Sequence, residues 1–106
     1  MRKSDEAIAI RLIALIDYRK NFRELLGNIG EINTEIDSLG KILFRNSRRY
    51  DDKRLRVIAD HFIEGKSYSE CSRAYAYSRD GIKQIIRFYR NKSKKMYPNL
   101  YPSEPL

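Results

Sequence analysis

Arg79, Lys83, Arg87 and Arg90 recur at steps of four, four and three residues, with Gln84 among them. Guanidinium and ammonium groups donate hydrogen bonds to anionic oxygens. Arg and Gln can also present paired hydrogen-bonding groups to a flat polar edge. That set suits recognition of a polyanion rather than bond-breaking chemistry. The chain has one His and one Cys, His61 and Cys71, so no Cys/His cluster can hold zinc and almost no raw material is left for nucleophilic catalysis. The expectation is a binding protein and not an enzyme, with no metal and no cofactor. His61 reads as a structural or surface residue and Cys71 as a small core residue.

A helix must position this series. At about 100° per residue, Ile82, Ile85, Ile86 and Tyr89 share a stripe about 100° wide. Arg79, Lys83, Arg87 and Arg90 fall beside that stripe, and Asp80, Gln84 and Asn91 fall opposite it. One face is built to pack, and the other carries cations and amides. Ser78 is placed to cap this helix, which should cover about residues 79–93. Upstream, Ser67 and Glu70 have the spacing of a capping box. They open a short helix whose inward residues are Cys71, Ala74 and Tyr75. Earlier still, Asp51 or Asp52 should cap a helix carrying Leu55, Ile58, Ala59, Phe62 and Ile63, ended by Gly65. Two short helices joined by a tight turn, the second of them basic, can set that second helix into the major groove of DNA. Basic side chains would then meet phosphates, while Arg and Gln reach guanine and adenine edges.

Gly65-Lys66-Ser67-Tyr68 with Glu70, then Tyr77-Ser78-Arg79 and Ile82-Lys83, resemble the helix-turn-helix of sigma factor region four. The stretch looks closer still to the RinA/ArpU-like late transcription activators of phages and prophages. The resemblance covers about residues 51–93. It implies that Ser78, Arg79, Asp80, Lys83, Gln84 and Arg87 face the groove, and that Ser67 and Tyr68 lie near the DNA backbone. Arg90 joins the set from its place on the helical wheel. The sequence departs from the pattern at Cys71, where a branched aliphatic is usual, at Ser72, where Ala is usual, and at Ala76, where the turn normally has Gly. A left-handed Ala costs roughly 1–2 kcal/mol.

The formal net charge of +8, in a chain of 106 residues, points to a polyanionic partner. Its distribution sharpens the point. Between residues 79 and 95 stand Arg79, Lys83, Arg87, Arg90, Lys92, Lys94 and Lys95, against the single acid Asp80. Residues 24–39 hold Glu24, Glu31, Glu35 and Asp37 and no base.

The first half also has a helical rhythm. Ser4, followed by Asp5 and Glu6, is a plausible helix start. Ile8, Leu12, Leu15, Phe22, Leu26 and Ile29 follow one register. Leu25, Ile29, Ile32, Ile36, Leu39 and Leu43 follow a second, with heptad spacing. A break is expected near Gly27–Gly30, and Gly40 is expected to loosen or end the second segment. Residues 45–50 lack an apolar rhythm and read as a linker. Residues 96–106 contain three prolines and read as an extended tail.

The expected fold is all-α: an N-terminal helical arm or hairpin followed by a C-terminal helix-turn-helix. The divisions are an N-terminal oligomerisation region over 4–44, a DNA-binding domain over 51–95 and the tail over 96–106. The heptad seam could close on the first helix or on a second copy, and a homo-oligomer is expected because one such module buries little DNA. The expected function is sequence-specific binding of double-stranded DNA for transcription control, as an activator in a bacterium or its phage. RNA polymerase is a candidate second partner, through Glu31, Glu35 and Asp37. Two alternatives fit the same modules: a phage small terminase subunit that binds DNA for packaging, and a sigma-like subunit that binds polymerase. No apolar run approaches the ~20 residues of a membrane span, and Asp17, Arg19 and Lys20 follow the apolar stretch 7–16 too soon for a signal peptide. A cytoplasmic protein is expected.

Overall fold

Ala9, Ile10, Leu12, Ile13, Ala14 and Leu15 are all buried, and so are Asp5 and Asp17. Buried residues this close together occupy every side of a helix, so that helix must lie inside the protein. The computed structural model describes residues 1–22 and 29–102. Among them it is all-α, with helices α1 (Lys3–Phe22), α2 (Ile29–Arg49), α3 (Lys53–Phe62), α4 (Tyr68–Tyr75) and α5 (Arg79–Met96), then a 3-10 turn at Pro98–Leu100. The central helix is α1, which packs against α2, α3, α5 and the 3-10 turn.

One core joins Leu12, Ile13 and Leu15 of α1 to Ile36 and Leu43 of α2, Leu55 and Ile58 of α3, and Tyr89 of α5. Ile32 and Leu39 pack against it. The heptad seam of α2 is therefore used within the chain. Its first residue, Leu25, lies outside the described residues. So does the first half of the break expected at Gly27–Gly30; Ile29 and Gly30 are described, and they begin α2.

Several local expectations are corrected. Lys3 rather than Ser4 begins α1. Asp5 is pulled inward instead, accepting a hydrogen bond from Asn46 Nδ2 at 2.7 Å. Gly40 neither loosens nor ends α2. A Cβ there would stand 3.3 Å from Ile63 Cδ1, so glycine allows the close approach of α2 to the end of α3. The expected linker 45–50 is helical as far as Arg49. Ser47 is buried with its hydroxyl donating to the Phe44 carbonyl at 2.8 Å, and Arg48 lies over the Phe44 ring at 3.8 Å. The inward anchoring that apolar rhythm did not supply comes from Asn46 donating to Asp5 and from the Ser47 carbonyl, which accepts from Arg56 Nε at 3.3 Å. Asp51 then takes a left-handed φ of 48°, and Asp52 caps α3 by accepting from the Leu55 N–H at 3.2 Å.

The tail is also corrected as far as residue 102. Pro98 ends α5 as a missing donor should, but Tyr97 and Leu100 return to the core. The Tyr101 hydroxyl donates to Asp17 Oδ2 at 2.7 Å. Residues 103–106 lie outside the described residues.

Between α4 and α5, Ala76 has φ 57° and ψ 27°. This is the left-handed turn residue expected from its place in the sequence, in a conformation that a Cβ disfavours. Ala76 is exposed, so exchange for glycine relieves strain without opening a cavity. Ala76→Gly should raise stability by about 0.5–1 kcal/mol, the relief being partly offset by the greater freedom of glycine in the unfolded chain. Urea unfolding checks this, and a lower midpoint would refute it.

Candidate nucleic-acid interface

The turn and caps that aim α5 are all present. Ser67 Oγ accepts from the Glu70 N–H at 3.2 Å while Glu70 Oε1 accepts from the Ser67 N–H at 3.4 Å. Ser78 Oγ accepts from the Gly81 N–H at 3.0 Å. Ser72 ties the turn together by donating from its hydroxyl to the Tyr77 carbonyl. Beneath these caps, Val57, Cys71, Ile82 and Ile86 form a second buried cluster, with Tyr68, Tyr75 and Tyr77 packed around it. Phe62 and Ile85 border both clusters, so α5 is seated on α3, α4 and α1 at once.

A buried carboxylate locks α3 to α4. Asp60 is fully buried; it accepts from the Tyr75 hydroxyl and lies 3.5 Å from Lys66 Nζ. Burial and the bond to Asp60 push the Tyr75 hydroxyl up to about 12. Next to it, His61 Nδ1 donates to the Lys66 carbonyl at 2.8 Å, because a carbonyl only accepts. The His61 ring stacks on Tyr68 at 5.0 Å, which places Tyr68 beside α5. Burial, then the charge of Asp60, pushes the Cys71 thiol up, which keeps it protonated.

The predicted contact residues divide into three groups. Arg79, Asp80, Lys83, Gln84 and Arg87 are exposed along the outer face of α5. Lys83 and Arg87 line a groove of about 410 Å³ with Tyr68, Asn91 and Lys94. Ser78, Arg79, Asp80 and Lys83 line another beside the start of the helix. Ser67 and Ser78 are exposed, but their hydroxyls are engaged as caps.

Arg90 is different. Its guanidinium donates to both oxygens of Asp17, at 2.8 and 3.0 Å, and stands 5.4 Å from the Phe62 ring centre. The bond to Asp17 holds the guanidinium above its usual range. Arg90 borders the 410 Å³ groove, yet its best donors are spent inside the protein. Its wheel position, close to the apolar stripe, put it within reach of α1.

Two residues outside the predicted set share this surface. Arg54, on the first turn of α3, and Phe88 of α5 line a groove with Tyr77 and Gln84. Phe88 is half exposed. Its signal was available, because it falls at about 240° from Ile82, well off the apolar stripe. Arg54 had none, since its neighbourhood with α5 depends on how α3 packs.

No protein-family model matches this sequence, and no curated protein or solved structure matches it. The surface itself must therefore carry the functional argument.

Removing the Tyr75 hydroxyl tests the lock that positions α4. Tyr75→Phe leaves Asp60 buried with only Lys66 near it, and should destabilise the chain by about 1–3 kcal/mol. The pH dependence has a definite sign. A hydroxyl held at about 12 in the folded chain, against about 10 when unfolded, contributes stability fully below pH 10. That contribution is lost as pH rises towards 12. Denaturant unfolding at neutral pH and at about pH 11 should show an alkaline decline in the parent that is smaller in Tyr75→Phe.

Proposed function

We propose that this chain is a sequence-specific double-stranded DNA-binding regulator of transcription, of the phage activator kind, whose reading helix is α5. One observation carries the proposal. Among the described residues, Arg79, Lys83 and Arg87 make no ion pair, whereas Arg11, Arg56, Lys66, Arg90 and Lys92 all do. Other unpaired cations, such as Lys20, Lys41 and Arg49, are spread over other helices, but these three share the outer face of one helix with Gln84, and a capped short helix braces that helix from behind. Neutralising phosphates with such cations releases counterions and drives association. Gln84 and Arg87 have the geometry for base edges, and Lys83 that of a point charge for phosphate.

The packaging alternative is less favoured, because it calls on the N-terminal helices to assemble a ring. Ile36 and Leu43 of α2 are buried within the chain. Self-association would have to use another surface. For contact with RNA polymerase, Glu31 and Asp37 are exposed, while Glu35 is engaged by Arg11 at 2.8 and 3.0 Å. No helix of the described residues is long and apolar enough to cross a membrane. A place in the bacterial cytoplasm, near the nucleoid, fits a DNA-binding role.

Fluorescence anisotropy with duplex DNA across a salt series tests the reading. Arg87→Ala should weaken binding to a selected site by about 1–3 kcal/mol and relax preference at one base pair. Lys83→Ala should weaken binding about equally on all duplexes and reduce the salt slope by about 1. Unchanged affinity in both variants would refute α5 as the reading helix.

A further inference from the structure

Phe88 stands at mid-helix on α5 with half its surface in solvent. The ring is not loose. It meets Tyr89 edge-on at 5.1 Å, and Lys92 Nζ lies 4.7 Å from its centre. Lys92 is in turn held by Glu6 at 2.6 Å. The ring is braced by two neighbours and still open to a ligand.

Gln84 lies one turn before Phe88, so their Cβ atoms are about 5–6 Å apart on one side of the helix. Arg54 of α3 comes to the same place. These three, with Tyr77, border a groove of about 370 Å³. An apolar ring, an amide and a guanidinium therefore sit side by side. The matching ligand offers a small apolar group, a paired donor and acceptor, and an anion at the same spacing. An A·T pair in a major groove does so. Thymine carries the C5 methyl, adenine offers its N7 acceptor and N6 donor, and the phosphate lies outside. A G·C pair has no methyl there. A protein partner of ordinary apolar character would leave Arg54 and the cations of α5 without anions.

We propose that Gln84 and Phe88 together read A·T pairs at one step of the duplex, Gln84 on adenine and Phe88 on the thymine methyl, with Arg54 holding the adjoining phosphate. This rests on the reading of α5 as a double-stranded DNA-binding helix.

The test uses the full chain and duplexes selected from a random-sequence pool. In the best selected duplex, each thymine is replaced in turn by deoxyuridine, which removes the methyl and nothing else. At one thymine the affinity should fall about fourfold, the effect of one buried methyl. Phe88→Ala should lose a similar factor on the thymine duplex and show no further loss on the uracil duplex. Phe88→Leu should keep part of the methyl effect. Gln84→Ala should bind A·T and G·C versions of the adenine position about equally. Circular dichroism and thermal melting of the Phe88 variants should match the parent, because the ring lies half outside the core.

A selected duplex that binds with no loss at any uracil overturns this inference and leaves the DNA reading standing. So does a methyl effect that survives Phe88→Ala. If no duplex is enriched, the DNA reading falls, and this inference falls with it.

Discussion

The grip on α5 from two buried clusters at once governs the rest of the molecule. Ile82 and Ile86 enter the cluster shared with α3 and α4, while Tyr89 enters the one built around α1. Ser93 adds a buried hydroxyl that donates to the Ile10 carbonyl at 2.8 Å. A helix fixed along its length by such contacts cannot roll without opening both clusters, because interiors are close-packed. Its outer face is thus set by the first helix of the chain as much as by the short helix beside it. The amino-terminal half supports α5 directly, through α1.

The same packing sorts the cations. Arg90 and Lys92 lie near the edges of the buried stripe and find Asp17 and Glu6 of α1. Lys83 and Arg87 lie further round, Arg79 lies about three turns earlier at the start of the helix, and none of the three finds an acid among the described residues. Sequence position alone makes these residues look equivalent. What separates them is their place around and along the helix and the presence of a neighbouring helix that carries carboxylates. The bidentate pair of Arg90 with Asp17, reinforced by Tyr101, belongs to the fold and ties the carboxyl end of the chain to its beginning.

What the sequence disclosed well was local chemistry. The box at Ser67 and Glu70, the caps at Asp52 and Ser78, the left-handed Ala76 and the stripe of α5 each depend on residues a few positions apart. What it concealed depends on distant partners. The helical run through Arg49 rests on Asn46 reaching Asp5 and on Arg56 reaching the Ser47 carbonyl. The folded tail rests on Tyr101 reaching Asp17. Gly40 resembles a breaker in isolation, and only the approach of Ile63 shows why a glycine stands inside a helix. The wrapping of α1 was hidden for a related reason. Once a helix is apolar on most sides, periodicity no longer says which side faces a partner.

The charge pattern of α5 carries a cost that its packing must offset. Arg79 and Lys83, then Lys83 and Arg87, are like charges one turn apart, an arrangement that weakens a helix by a few tenths of a kcal/mol per pair. Asp80 in the first turn and Lys94 and Lys95 in the last suit the helix dipole, so the termini are arranged for stability and the middle is not. Nearby acids could have relieved the middle, as Asp17 and Glu6 do for Arg90 and Lys92. A strip of unrelieved like charge, held rigidly on a well-packed helix, is a local conflict in an otherwise consistent design. Such conflicts concentrate where a ligand supplies the missing interaction. A polyanion would relieve this strip on binding, which ties the distribution of charge on α5 to its proposed role.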